Sequence, residues 1–203
     1  MPLKVIVGKE KAEFYIQKCL ICSESGFFEA ASKNDWESGP INNVEVINAT
    51  PKVFKMFLSW LATGDAENLE EYTSIRSDSQ DMAINLLANC FILGESPLVT
   101  NFRNVVMNTI VVERKELWEE HEWPAGLSSD QLKYVYEGTG HDSPLRLLLL
   151  DTLLICDPDS IFDDLDSSMP KVQEFLKDVA KLSISKLNDC YAERAPLTSE
   201  RNP

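Results

Sequence analysis

The segment from Phe14 to Gly64 constrains this chain most, because it sets an order of elements rather than a set of reactive groups. It reads FYIQKCLICSESGFFEAA, then a polar stretch, then VEVINATPKVFKMFLSWLATG. Glu13-Phe14-Tyr15-Ile16, aromatic and β-branched, reads as a strand. Lys18 to Ser23 reads as a short helix. Ser25 is a candidate N-cap for a second helix carrying Phe27, Phe28, Ala30 and Ala31, since a serine hydroxyl accepts from an otherwise orphan N–H. Val44-Glu45-Val46-Ile47 is a further strand. Thr50-Pro51 then opens a longer helix: threonine caps it, and proline at the first helical position lacks only a donor that would be unpaired anyway. Val53, Phe54, Phe57, Leu58 and Leu61 share one face of that helix, and Gly64 ends it.

On the N-terminal side, Lys4-Val5-Ile6-Val7 reads as a strand joined to Glu13–Ile16 by a polar connector short enough for a hairpin. On the C-terminal side, the acidic stretch 67–80 leads to an apolar helix, Met82 to Leu93, stopped by Gly94. Ser96-Pro97 caps the next, with Leu98, Phe102, Val105, Val106 and Ile110 as its inner residues. After residue 115 the character changes. Residues 1–115 hold 11 basic and 15 acidic groups, and residues 116–203 hold 8 and 18. The asymmetry predicts a first domain over 1–115, a helical extension over 116–194 and a disordered tail over 195–203. Within the extension, Gln131–Glu137 reads as a short helix. Ser143-Pro144 opens a capped one through Cys156, and Pro170 opens the last. There Val172, Phe175, Leu176, Val179 and Leu182 form an amphipathic stripe.

The ordered set Phe14, Lys18, Leu20, Cys22, Ser25, Phe27, Phe28, Ala31, Pro51, Phe54, Phe57, Leu58, Trp60, Leu61, Thr63 and Gly64 resembles the BTB (POZ) domain. The likeness is greatest to the type common in filamentous fungi, and it covers roughly residues 4–112. LLANCFILGESPLVTNFRNVVMNTI resembles the family's helical pair. Tyr134-Val135-Tyr136-Glu137 and Ser143-Pro144-Leu145-Arg146 resemble a segment that often follows such domains. Gln17 stands where members usually have His, Ala62 where Tyr is usual, and Asn48-Ala49 where an acidic pair is common. The resemblance implies an α+β fold of BTB/POZ type: a small three-stranded sheet flanked by a cluster of α-helices, followed by a mainly α-helical C-terminal region. It implies a non-enzymatic protein–protein interaction module. One version is a substrate adaptor for a cullin-type ubiquitin ligase, and another is a self-associating scaffold in a transcriptional or other regulatory complex. Members often contact a cullin through an apolar-x-Glu motif, and the nearest stretch here is Trp36-Glu37-Ser38, with Ser in place of Glu. Many animal members swap an N-terminal helix and strand across a homodimer. This chain begins almost at the first core strand, so a homodimer would form without that element. Trp36, Glu37, Ser38 and Trp118 are the candidate partner-binding residues.

Composition narrows the partners. The net charge of −14 disfavours nucleic acid, whose binding needs Lys and Arg to neutralise phosphates, and an anionic membrane surface. Protein partners remain. Five cysteines, Cys19, Cys22, Cys90, Cys156 and Cys190, are an odd number at irregular spacing, and three sit in apolar runs. That pattern reads as reduced thiols in the cytoplasm or nucleus rather than a disulfide framework. Lys4, Lys9, Glu10 and Lys11 interrupt any signal-peptide core.

No catalytic residue, metal ligand or cofactor is expected. The rival from another class is a thiol-redox protein using Cys19-x-x-Cys22, because a CxxC pair near a helix start can have a lowered thiolate pKa. Against it, Cys22 falls where the family places a small apolar group, and zinc ligation lacks a second CxxC or a nearby His. His121 and His141 read as surface histidines, with no nucleophile elbow, phosphate loop or HExxH beside them. Asp157, Asp159, Asp163, Asp164 and Asp166 lack the Gly and terminal Glu of an EF-hand loop and read as a solvated acidic loop. Trp60 lies on the helix expected to be buried and reads as core.

Overall fold

In the computed structural model of the chain, residues 2–33, 43–64, 80–95, 99–120, 129–156 and 171–194 are described, with the backbone alone at 80–81, 116–120, 129–131, 153–156 and 192–194. These residues form a mixed α+β structure of eight helices and one small three-stranded sheet. The chain divides into two compact units, Met1–Pro124 and Ala125–Pro203.

The first unit is built on the hairpin of β1 (Pro2–Val7) and β2 (Ala12–Gln17). The strands pair antiparallel, with Val5 opposite Phe14. The turn between them turns on Gly8. Its φ of 69° lies in the left-handed region, and a Cβ there would come within 2.7 Å of the Ala49 carbonyl oxygen, so any side chain would be both strained and obstructed. β1 alternates buried Leu3, Val5 and Val7 with half-exposed Lys4 and Ile6, the period of a strand with one covered face. β3 (Asn43–Val46) joins the other side of β1 in parallel, giving the order β2-β1-β3.

Between β2 and β3 lie α1 (Lys18–Glu24) and α2 (Gly26–Ala31). Ser25 caps α2 as its position predicts, its hydroxyl accepting from Phe28 N at 3.3 Å. α3 (Pro51–Thr63) starts at Thr50, whose Oγ1 accepts from Val53 N at 3.3 Å. It ends at Gly64 in the left-handed conformation, with Gly64 N bonded to Trp60 O. The buried face of α3 is wider than the periodicity alone suggests. Met56 and Trp60 join Val53, Phe54, Phe57 and Leu61, while Leu58 is only half-buried.

α4 (Gln80–Glu95) and α5 (Thr100–Glu120) follow. Gly94 lies in the last turn of α4, one residue before Glu95, and Met82 near the start of the helix is exposed. Gly94 also has a packing role: a Cβ there would lie 2.7 Å from Arg103 Cβ and 3.0 Å from Arg103 Cα, so glycine lets α4 and α5 approach closely. Gly94→Ala should therefore destabilise the protein by about 1–3 kcal/mol as an overpacking substitution, although alanine is the better helix former by about 1 kcal/mol. A lower urea midpoint checks this, and a higher one contradicts it. α5 also continues unbroken through residue 115, where the charge balance changes. The Ser96-Pro97 cap lies outside the described residues.

An aromatic cluster fills this unit. Phe57 touches Phe28, Phe54, Trp60 and Phe102, with ring centroids 5.4–6.4 Å apart, and Phe14 reaches Phe54 at 5.1 Å. Cys90 lies beside Met56, with its sulfur 3.6 Å from the thioether, and burial pushes its thiol pKa up.

The second unit contains α6 (Ser129–Gly138), α7 (Pro144–Cys156) and α8 (Val172–Arg194). Leu132, Tyr136, Leu150 and Phe175 form its core, with Val179 and Leu182 packed against them. Tyr136 and Phe175 meet edge to face at 5.6 Å. Leu176, expected among the inner residues, is exposed instead. Ser143 precedes α7 as expected and its carbonyl accepts from Leu147 N. Its hydroxyl, however, does not cap the helix and is buried without a hydrogen-bond partner. No helix among the described residues is long and apolar enough to cross a membrane.

Candidate interaction surfaces

Trp36, Glu37 and Ser38 lie outside the described residues, as do His121 and the aspartates at 157–166. Trp118 falls in the last turns of α5, and its side chain is also outside them. The remaining candidates can be placed.

Cys19 and Cys22 occupy one short helix, α1, and both are free thiols, Cys19 exposed and Cys22 half-buried. The sulfur of Cys22 lies 3.4 Å from Ser32 Oγ. Ser32 is itself buried and bonds back to α2 through its N–H to Phe28 O and its hydroxyl to Glu29 O. Lys18 Nζ donates to Ser32 O at 2.5 Å. A lysine at the start of α1 thus satisfies a carbonyl just past the end of α2, a place where cations are favoured. Lys18 and Cys22, noted in the sequence as motif positions, tie these two short helices together.

The outward face of the sheet is polar. Lys4 pairs with Glu13 at 2.6 Å, and Tyr15 donates to the same carboxylate at 3.1 Å. The pairing holds the lysine pKa up and the Glu13 pKa down, with the Lys4–Glu13 hydrogen bond the main cause of each.

In the second unit the densest polar cluster is centred on Arg146, which is fully buried. Its Nε donates to Thr139 Oγ1 and its Nη2 to Tyr136 O, both at 2.8 Å. Nη2 also donates to Thr139 O, and Nη1 to Glu174 Oε1. The guanidinium carbon lies 4.2 Å from the centre of the Tyr136 ring. Arg146 therefore closes the carbonyl end of α6, where a positive charge complements the helix dipole, and reaches Glu174 in the first turn of α8. The two segments noted in the sequence as resembling a post-BTB region, 134–137 and 143–146, are bonded to each other through this side chain.

Glu174 also accepts from Lys171 at 2.7 Å and lies 3.1 Å from His141 Nδ1. His141 is exposed, as expected, but it is paired. Lys171 first, then Arg146, hold the Glu174 carboxyl down to about 2, against an ordinary 4.5. The sign of the linked effect follows: the unfolded chain takes up this proton near pH 4.5, the folded chain only near 2. The stabilisation from Glu174 is thus fully present above pH 4.5 and lost as pH falls toward 2. Thermal melts of the wild type should drop through that window by more than those of Glu174→Gln, and parallel curves would contradict the assignment.

These donors are spent on internal acceptors, so the cluster's chemistry is structural. No group of three or more His, Cys, Asp or Glu side chains able to hold a metal occurs among the described residues. The distinctive surface feature is on α8. Leu176, Ile184, Leu187 and Tyr191 are exposed on a helix whose other flank, Val172, Phe175, Val179 and Leu182, supplies the core. α8 thus carries two apolar stripes where its periodicity suggests one.

Compared with known proteins, the chain matches no family model and no curated protein.

Proposed function

We propose that this chain is a protein–protein interaction module, a BTB/POZ-type domain with a helical C-terminal extension, acting as a substrate adaptor for a cullin-type ubiquitin ligase. What supports the reading is the order of elements. Strands β1 and β2, helices α1 and α2, strand β3 and helix α3 follow one another, with the packed pair α4 and α5 behind them. The motif residues Phe14, Phe28, Phe54, Phe57 and Trp60 fall into one aromatic cluster. The resemblance implies a small three-stranded sheet flanked by helices, and this order of elements agrees with that much of it.

Such a module works by surface complementarity rather than by bond-making. The domain is a rigid platform, and the acidic C-terminal region, with 8 basic and 18 acidic groups over residues 116–203, attracts basic substrates and speeds their encounter. Trp36, Glu37, Ser38 and Trp118 are the proposed contact residues. Capture of a purified cullin by the full chain tests the adaptor role: saturable binding that weakens in Trp36→Ala supports it, and failure to bind at micromolar concentration overturns it. A second reading, a self-associating scaffold, is favoured by the uncovered apolar stripe on α8.

A further inference from the structure

Leu176, Ala180, Ile184, Leu187 and Tyr191 lie within an arc of about 80° on α8, at 3.6 residues per turn. The helix's core-facing flank lies about 120° away round the axis. The four large side chains are 43%, 59%, 55% and 71% exposed. Two features of this stripe select its occupant.

The first is its spacing. Four of the five residues, 176, 180, 187 and 191, are spaced 4, 7 and 4, the same in both directions, and the fifth, Ile184, lies beside the centre and would face Ser183 of the second copy. A two-fold contact requires a self-complementary patch, and an antiparallel helix pair with its dyad between Ser183 and Ile184 has one. Leu176 then faces Tyr191 of the second copy, and Ala180 faces Leu187. Antiparallel pairing also opposes the helix dipoles favourably.

The second is charge. The chain as a whole carries −14, which opposes self-association, yet no carboxylate lies within the stripe between residues 176 and 191. Asp178 is turned to Tyr136. Exposed Lys177 and Lys181 border the stripe, and antiparallel pairing brings Lys177 beside the Tyr191 ring of the second copy, a cation–π geometry. On a scale of about 200 Å² per large side chain, the four residues offer roughly 450 Å² per copy. Ala180 and the lysine stems bring the pair to about 1,200 Å² in all, the lower edge of specific interfaces.

We propose that α8 pairs antiparallel with α8 of a second copy of this chain through Leu176, Ala180, Ile184, Leu187 and Tyr191. The pairing deepens the scaffold reading and does not depend on cullin binding. A contact at that lower edge is a weak one, and a dissociation constant of about 10 µM is the expected result.

Sedimentation velocity of the full chain from about 1 to 200 µM, a range spanning that constant, should show a monomer–dimer equilibrium. Ile184→Glu and Leu187→Glu, both at exposed positions, should shift it at least tenfold toward monomer with an unchanged circular dichroism spectrum. A monomer throughout the range overturns both the pairing and the scaffold reading. A dimer that persists in both variants overturns the pairing alone. Register is read separately in a Cys19→Ser background with a short bis-maleimide. Ser183→Cys should cross-link between copies while Cys190, about 20 Å along the axis from its copy in the antiparallel pair, does not; linkage at Cys190 as well would mean parallel helices and overturn the antiparallel arrangement.

Discussion

Replacing Arg146 by methionine should lower the stability of the Ala125–Pro203 unit by about 3–5 kcal/mol, the range for breaking a buried, fully bonded charge. The cost comes from what is left behind. Tyr136 O and Thr139 O lose their donor at the end of α6, Thr139 Oγ1 keeps only its own bond to Val135 O, and Glu174 keeps only Lys171 and His141. Arg146→Lys should rescue little, because a single ammonium cannot span acceptors that a planar guanidinium reaches from three nitrogens. Hydrogen exchange read by mass spectrometry gives the test a location: amides of α6, α7 and the first turns of α8 should exchange faster, by a factor of at least a hundred for about 3 kcal/mol. Unchanged protection in these helices, or full rescue by lysine, would show that Arg146 is not the clamp.

The second large effect is expected at Phe57. Its ring contacts four other aromatic rings drawn from α2, α3 and α5, and it is 2% exposed. Phe57→Ala removes that shared partner and should cost about 3–5 kcal/mol. Phe57→Leu keeps much of the volume and should cost substantially less. All four tryptophans of the chain precede residue 125, so tryptophan fluorescence during urea unfolding reports on the Met1–Pro124 unit. A midpoint that falls only slightly in Phe57→Ala would place the core of this unit elsewhere.

The parts of the fold legible in the sequence were those set by local chemistry. Thr50-Pro51, Ser25 and Gly64 act on backbone groups within a few residues, and each does in the structure what its residue type suggests. The alternation in β1 is legible for the same reason. What was not legible depends on a neighbour distant in sequence. Gly94 reads only as a stop until Arg103 is known to lie against it. Arg146 shows in the sequence only as a motif position, since the acceptors that make its burial tolerable come from α6 and α8. Leu176 reads as core because periodicity shows that a helix has an apolar face but not which face is covered. The candidate contact residues Trp36, Glu37, Ser38 and the Trp118 side chain lie outside the described residues; Lys18 and Cys22 stood out as motif positions, but their common partner Ser32 was found only through geometry.

The interaction-module reading meets its most direct test in a calorimetric titration of a purified cullin scaffold with the full chain, in parallel with Trp36→Ala. The account predicts saturable binding with a dissociation constant of about 10 µM or tighter, weakened at least tenfold in the variant. No heat of binding up to about 100 µM would contradict it.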